Sequence, residues 1–503
     1  MNAKKGAARF ALPIALSIGI GMSALSPALA KDLLTVDLVN EPSSLDPHQQ
    51  WNPDSYYVYR NIFDNMVTRD DAGDIVPQIA TEWEQVSETE MVFTIRDDVV
   101  FHDSEPLTPE DVVFTVERIT DPEFGSPQLG QFNKITAAEV TGANEVTLTT
   151  DGAYPALLAQ LVKLSIVPEH VASTMTSAEF NEAPVGSGPY VFEGWDRGVA
   201  VTVSKNADYW GDMGPFERVV FRGVPDASTR VADLRSGNAD LVVTLNTDLA
   251  MQLESSGRGK VLTVNTERVA YFPMNASKPP LDQVDLRRAI GYAIDREAIV
   301  DGLLGGYPQV VDQMLSPAHF GWAEDIEGFD YDPEKARELI AGVEGAQTEM
   351  ELATSPVYDQ RVVQAIQQML TDVGLNVSIE STDMATWLQD QQSAQEQAPM
   401  LTFSRWSCAC QDPDGIMYPL LHSSSNWSRV DVPEIDALLD EARSELDEET
   451  RADLYAQVNR LALEGAHILP LYQAAIIYGA ADELEWRPTS NESLFLNRMS
   501  WSE

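Results

Sequence analysis

Cysteine is almost absent: Cys408 and Cys410, spaced C-x-C, are the only two in 503 residues. So few exclude a disulfide framework, and a chain long enough for two or three domains needs none. Two free thiols and one labile bridge both fit the spacing. Histidine is scarce as well. The six (His48, His102, His170, His319, His422 and His467) are scattered with no H-x-x-H pairing, and one C-x-C supplies only two ligands. No metal centre and no cofactor is therefore expected. Positive charge is the largest deficit: 33 Lys and Arg stand against 79 Asp and Glu, a net −46. Nucleic acid is excluded as a partner, because its phosphates demand a basic footprint. A polybasic membrane surface is excluded by the same count. The acidity reads as a heavily solvated surface, or as a field that concentrates cationic ligands.

Enzyme signatures are missing too. Gly186-Ser187-Gly188 is too short for a nucleophile elbow, and H-E-x-x-H, the P-loop and the dinucleotide fingerprint do not occur. No segment reaches the ~20 apolar residues of a membrane span. The longest, Phe10 to Leu25, contains Pro13, Gly19 and Gly21. Lys4, Lys5 and Arg9 precede it, and Ala28-Leu29-Ala30 follows before Lys31-Asp32. That order reads as a secretory signal cleaved after Ala30. Lys31 stands where a lipid-anchored protein would carry Cys. The mature chain would then carry 30 − 79 = −49 and be soluble beyond the inner membrane.

Mixed α and β elements run throughout, without repeats. Met91–Ile95, Val99–Phe101, Glu145–Thr149 and Ala200–Ser204 are expected strands. Thr108-Pro109-Glu110-Asp111 opens a helix with a cap, a proline in the first turn and acids at the positive dipole end; Asp121-Pro122 stops it. Strand 351–354, a helix carrying Val362, Val363, Ile366, Met369, Leu370 and Val373 on one face, Gly374 as its left-handed cap, and Leu375, Val377 and Ile379 form a βαβ unit with parallel strands. The strand Met400–Phe403 ends at Arg405-Trp406. In open α/β sheets ligands sit beyond the carboxyl ends of strands, which points to 405–413 as ligand-touching. Helices are expected over 434–446 and 449–462.

Several motifs then occur in one order: Asn40-Glu41-Pro42 with Leu45-Asp46-Pro47, Ala80-Thr81-Glu82-Trp83, Phe93 to Asp103, Leu107-Thr108-Pro109-Glu110-Asp111, Val185-Gly186-Ser187-Gly188-Pro189-Tyr190, Lys205-Asn206 with Asp208-Tyr209-Trp210, Asp285 to Arg296, and Asp332-Pro333-Glu334-Lys335-Ala336. From about residue 34 to about 480 the chain resembles the family 5 extracellular solute-binding proteins, the peptide, nickel and opine receptors of ABC importers. The physical reading of these motifs is structural. Trp83 and Phe101 pack a core, Gly188-Pro189 relieves a strained turn, and Arg96 pairs with Asp103 or Asp111.

The resemblance implies an α/β, two-lobed periplasmic binding protein fold with an additional third domain and a hinged cleft. Lobe I would be 31–61, 185–268 and 477–503, the additional domain 62–184, and lobe II 269–476. It implies a monomeric, non-enzymatic receptor in the periplasm that hands a small solute to an inner-membrane permease and ATPase complex. A peptide-like solute is favoured. The alternatives are an opine-like, metal-chelate or other non-peptide solute, and, from another class, a secreted hydrolase reusing the fold. Expected cleft residues are Trp406, Arg405, Ser407, Cys408, Asp412, Tyr271 and Ser44. Receptors resembling this one place an Asp three residues after the Trp corresponding to Trp406, where it pairs with the peptide α-ammonium. Here that place holds Ala409. Asp412 matches the family's Asp-Pro, so it is either structural or a substitute partner for the amine. Arg405 could fork onto a carboxylate or phosphate, or fold onto surface acids.

Overall fold

The computed structural model describes residues 31–49, 52–408 and 410–502. The expected signal segment and Ala409 lie outside the described residues. Among those described, a nine-stranded mixed sheet is the largest element. Its order is Ser404–Trp406, Lys260–Pro273, Ile468–Ala480, Leu241–Val242, Leu33–Leu38, Arg218–Gly223, Ala200–Lys205 and Tyr190–Asp196, with Gln309–Val310 added on the 468–480 strand. Strand 33–38 pairs parallel with both of its neighbours. Leu34, Val36 and Leu38 alternate into a fully buried cluster with Tyr57, Phe63, Tyr190, Phe221 and Leu494.

A separate four-stranded antiparallel sheet, Ala80–Gln85, Glu90–Ile95, Glu145–Thr150 and Ile135–Gly142, carries its own core. Phe93, Ile95, Val146 and Leu148 pack there against Val112, Val116 and Ile119 of the helix Pro109–Thr120. That helix starts and stops where its caps demand: the Thr108 backbone N–H donates to Asp111 Oδ2 at 2.9 Å, and Asp121 leaves helical geometry. The expected strand at Val99–Phe101 does not form. Val100 makes one isolated bridge to Pro106, which has no N–H to extend the ladder. Arg96 binds neither Asp103 nor Asp111. It forks onto Asp98 at 2.8 Å, while Asp103 pairs with His170 and Asp111 is used at the helix cap.

The βαβ unit is present. Met350–Thr354 and Val377–Ser381 pair in parallel across the helix Gln360–Asp372, which is followed by Gly374 at φ +97°. Leu401–Thr402 joins 350–354 as the third parallel strand, and the two later helices run over Pro433–Ser444 and Glu448–Glu464. The strand expected at 400–403 is thus split. After Phe403 the chain leaves this sheet, and Ser404–Trp406 becomes an edge strand of the large one, antiparallel to 269–271. Arg405 therefore lies within a strand, not beyond the end of one.

The motif residues hold the fold together. Asp46, fully buried, receives Arg118 at 2.7 and 3.0 Å, and this pairing pulls its carboxyl below the usual range despite burial. Asp64, also fully buried, accepts from Gln78, Ser187, Tyr209 and Trp210 at 2.7 to 3.0 Å. Gly188 is not needed for a left-handed turn. A Cβ there would meet the Ile62 carbonyl at 2.7 Å, and one on Gly186 would meet it at 2.1 Å; both glycines allow the chain to pass against that backbone.

Candidate functional site

The two long strands Lys260–Pro273 and Ile468–Ala480 each serve more than one core. Leu262, Val264 and Ile476 pack with the Leu34–Phe221 cluster. Farther along, Ala270, Phe272, Leu469 and Leu471 pack with Ile290, Ile366 and Leu401, while Val269 and Tyr271 join Leu315, Leu420 and Tyr455. Between these halves the ladder breaks. Asn265 pairs with Ala475 and the next rung is Val269 with Gln473, so Thr266, Glu267 and Arg268 face Ala474 alone. Side chains bridge the gap: Gln473 Nε2 donates to the Thr266 carbonyl at 2.7 Å, and Thr266 Oγ1 donates to the Ala474 carbonyl at 3.0 Å.

This bulge holds charge. Glu267 is 2 % exposed, and burial together with the Glu492 carboxylate pushes its pKa up to about 8. Arg268 Nη2 donates to Glu492 Oε2 at 2.9 Å. Glu492 sits in the left-handed region at φ +58°, held in a buried turn in which its backbone N–H donates to the Thr489 carbonyl.

Arg405 pairs with Ala270 across the edge of the sheet, two residues along from Arg268, and the Arg268 charge acts on it. Arg405 is solvent-exposed, and its charge helps hold the Asp359 carboxyl below the usual range. Its guanidinium stands 5.4 Å from the Tyr358 ring centre. Surrounding protein and the nearby Arg268 charge pull its pKa below the usual arginine value.

Trp406 is half-buried. Its Nε1 donates to the Gly415 carbonyl at 2.9 Å and its ring meets Trp427 edge-on. Ser407 is exposed and directly follows. Cys408 and Cys410 are joined as a disulfide. The segment after it reaches across the molecule: Arg69 Nη2 donates to the Cys410 carbonyl, and Gln411 Nε2 donates to Ser490 Oγ at 2.9 Å.

Three expected cleft residues are engaged elsewhere. Asp412 is 4 % exposed, with both oxygens taken by Arg451 at 2.6 and 2.8 Å, so it offers no free carboxylate to an amine. Tyr271 is 3 % exposed and packs in a core beside Val269 and Leu315, because its side of the strand faces away from Arg405. Ser44 accepts from the Asp46 backbone N–H at 3.0 Å, closing a turn. Arg268, Glu267, Glu492 and Tyr358 were not singled out in the sequence. A charged pair inside an otherwise apolar, β-branched run is the one local sign of the bulge. No group of three or more His, Cys, Asp or Glu among the described residues could hold a metal ion.

These features, two separately cored halves joined by long strands with polar side chains gathered at the junction, define a two-lobed binding protein of the periplasmic type. The chain belongs to the bacterial extracellular solute-binding proteins, family 5, whose middle region matches residues 74–428. It is similar to Heme-binding protein A of Haemophilus influenzae, 28 % identical over 467 residues that cover 86 % of this chain and 84 % of the relative. A probable di/tripeptide-binding protein 5 of Pseudomonas aeruginosa is 26 % identical and is covered to 93 %, over 91 % of this chain. In structure the chain resembles the ABC transporter-associated periplasmic binding protein DppA of Helicobacter pylori, solved with the peptide STSA. The TM-score is 0.79 at 24 % identity, over 94 % of this chain and 98 % of that one.

Proposed function

We propose that this chain is the periplasmic receptor of an ABC importer, that it performs no catalysis, and that it captures a peptide or peptide-like solute between its lobes for an inner-membrane permease and ATPase complex. The observation that carries this reading is the family membership together with a di/tripeptide-binding relative matched over nearly its whole length. Lobe I comprises 31–61, 185–268 and 477–503, the additional domain 62–184, and lobe II 269–476. The separate apolar clusters support this division, and the bulge at 266–268 supports a hinge there. Arg405, Trp406 and Ser407 line the cleft at its edge strand.

The test is incubation of the purified protein with an equimolar mixture of free tripeptides. Native mass spectrometry should show one peptide retained per chain and released unchanged, and small-angle scattering should show a smaller radius of gyration at saturation. Retention of none would overturn the peptide reading, and hydrolysed products would support a secreted hydrolase instead. A second reading, a non-peptide solute, is favoured by the similarity to Heme-binding protein A; it predicts that haem titration gives a bound absorption band while the peptides are refused. The exported chain begins at Lys31. N-terminal sequencing that returned Met1 would refute the cleavage.

A further inference from the structure

The bridge between Cys408 and Cys410 does little for the stability of the whole chain. It closes a loop around one residue, and so restrains few conformations of the unfolded chain. A 503-residue protein with several apolar cores has no need of such a staple. Its effect is local, and the local structure is built around it. A Cβ on Gly415 would lie 2.5 Å from Cys408 Sγ and 2.9 Å from Cys410 Sγ, so the glycine makes room for both sulfurs. Trp406 Nε1, by donating to the Gly415 carbonyl, holds that backbone in place.

Three distant parts of the chain are tied to the segment behind the bridge. Arg69 donates to the Cys410 carbonyl, Gln411 Nε2 donates to Ser490 Oγ at 2.9 Å, and the Phe320 backbone N–H donates to the Gln411 carbonyl at 3.1 Å. Gln411 itself sits in the left-handed region at φ +55°, which a residue with a side chain keeps only while its surroundings fix it. Its backbone N–H donates to the Cys408 carbonyl at 2.8 Å, so this turn and the bridge share the same residues.

The two cysteines differ in access. Cys410 is fully buried, whereas Cys408 is half-buried and follows the exposed Ser407. A thiol arriving from solvent therefore meets Cys408, and Cys410 is left to depart. The charge around Cys410 suits departure as a thiolate. Asp412 is matched by Arg451 at 2.6 Å and Asp414 by Arg443 at 2.7 Å, while Arg69 brings its guanidinium to the Cys410 main chain.

We propose that the Cys408–Cys410 bridge is a thiol-exchange site, opened by a small-molecule thiol at Cys408, and that its opening releases the 410–412 segment from Arg69, Phe320 and Ser490. In the first step the thiolate bonds to Cys408 Sγ, the bond between the two protein sulfurs breaks, and Cys410 takes up the proton that the thiol has shed. A second thiol frees Cys408 and departs as the small-molecule disulfide, so two thiols are oxidised as one bridge is reduced. The site is independent of which solute the chain captures.

The test treats the folded chain with 2-mercaptoethanol and quenches samples in acid, which halts exchange by removing thiolate. Peptide mapping of early samples should find mercaptoethanol joined to Cys408 with Cys410 as a free thiol, and later samples should show both thiols free. Amide exchange at 410–412 and 489–492 should quicken several-fold on opening. A double variant, Cys408→Ser with Cys410→Ser, should show the faster exchange without any thiol. A bridge that opens only after unfolding in urea, or mercaptoethanol joined to Cys410, would overturn the exchange site. Unchanged amide exchange in the opened chain would overturn the release of the segment, whether or not the double variant folds.

Discussion

Asp412 and Arg451 form a two-pronged ion pair, 2.6 and 2.8 Å, in which each side chain is no more than 5 % exposed. Asp412 Oδ1 also accepts from the Asp414 backbone N–H at 2.9 Å, so one carboxylate fixes both the turn after the disulfide and the helix Glu448–Glu464. Its position three residues past Ala409 gave it two possible roles, and the pair leaves it the structural one.

Removing one side of that pair strands the other in protein. Asp412→Asn should destabilise the chain by about 3–5 kcal/mol, the usual cost of an uncompensated buried charge. In the fraction that remains folded, solute affinity should change little. The comparison is a denaturation midpoint alongside calorimetry of the same sample. A large loss of affinity with an unchanged midpoint would return Asp412 to the cleft.

The pH dependence of stability follows from the buried histidines. His48, His102, His319 and His467 are each pulled down to about 4, from an ordinary value of 6.5, mainly by burial. Between pH 6.5 and 4 the unfolded chain binds up to four protons that the folded one refuses. Burial raises Asp37 to about 6 and Glu267 to about 8, and also raises Asp64, Asp414 and Glu351; these carboxyls keep protons in the folded state and oppose the histidines. Each neutral histidine should cost up to about 1.4 kcal/mol of stability per pH unit as pH drops from 6.5 toward 4, and replacing one should remove its share. Thermal melts of the wild type and His467→Gln at pH 6.5 and pH 4.5, followed by circular dichroism, would show it. An equal fall in midpoint for the two proteins would contradict the assignment of His467 as neutral.

Gly186 tests the close approach to Ile62. A methyl group there would lie 2.1 Å from the Ile62 carbonyl oxygen, which belongs to backbone and cannot rotate aside. Gly186→Ala should cost at least ~2 kcal/mol or prevent folding. Gly130→Ala is the matched control, since nothing lies within 4 Å of its added methyl and it sits in the short helix Leu129–Phe132. There the change should be neutral or slightly stabilising. Equal midpoints for the two variants would show that the 185–190 segment yields more readily than its contacts indicate.

The elements legible in the sequence were those whose signal is local. The helix at 109–120 announces itself by Thr108, Pro109 and Asp111, and the unit from 350 to 381 by its spacing and Gly374. Val99–Phe101 misled because three apolar residues fit a strand, while whether they find a partner depends on Pro106. The run from Met400 to Trp406 gave no sign that the chain changes sheets after Phe403, since both halves are equally suited to strands. Arg405 could be picked out, but its place within an edge strand could not. Arg268 owes its role to Glu492, 224 residues away, and no pattern in either stretch foretells the meeting.

The bulge at 266–268 has a mechanical consequence. Main-chain rungs hold the two long strands together on either side of it, and at the bulge itself two side-chain bonds, from Gln473 and Thr266, do the holding. A ribbon spliced in this way concentrates its torsional compliance at the splice and leaves the flanking ladders stiff. Amide exchange should register the same division, slow along 260–265 and 269–273 and faster at the three residues between. Arg405 and Ala270 lie together on one side of the splice.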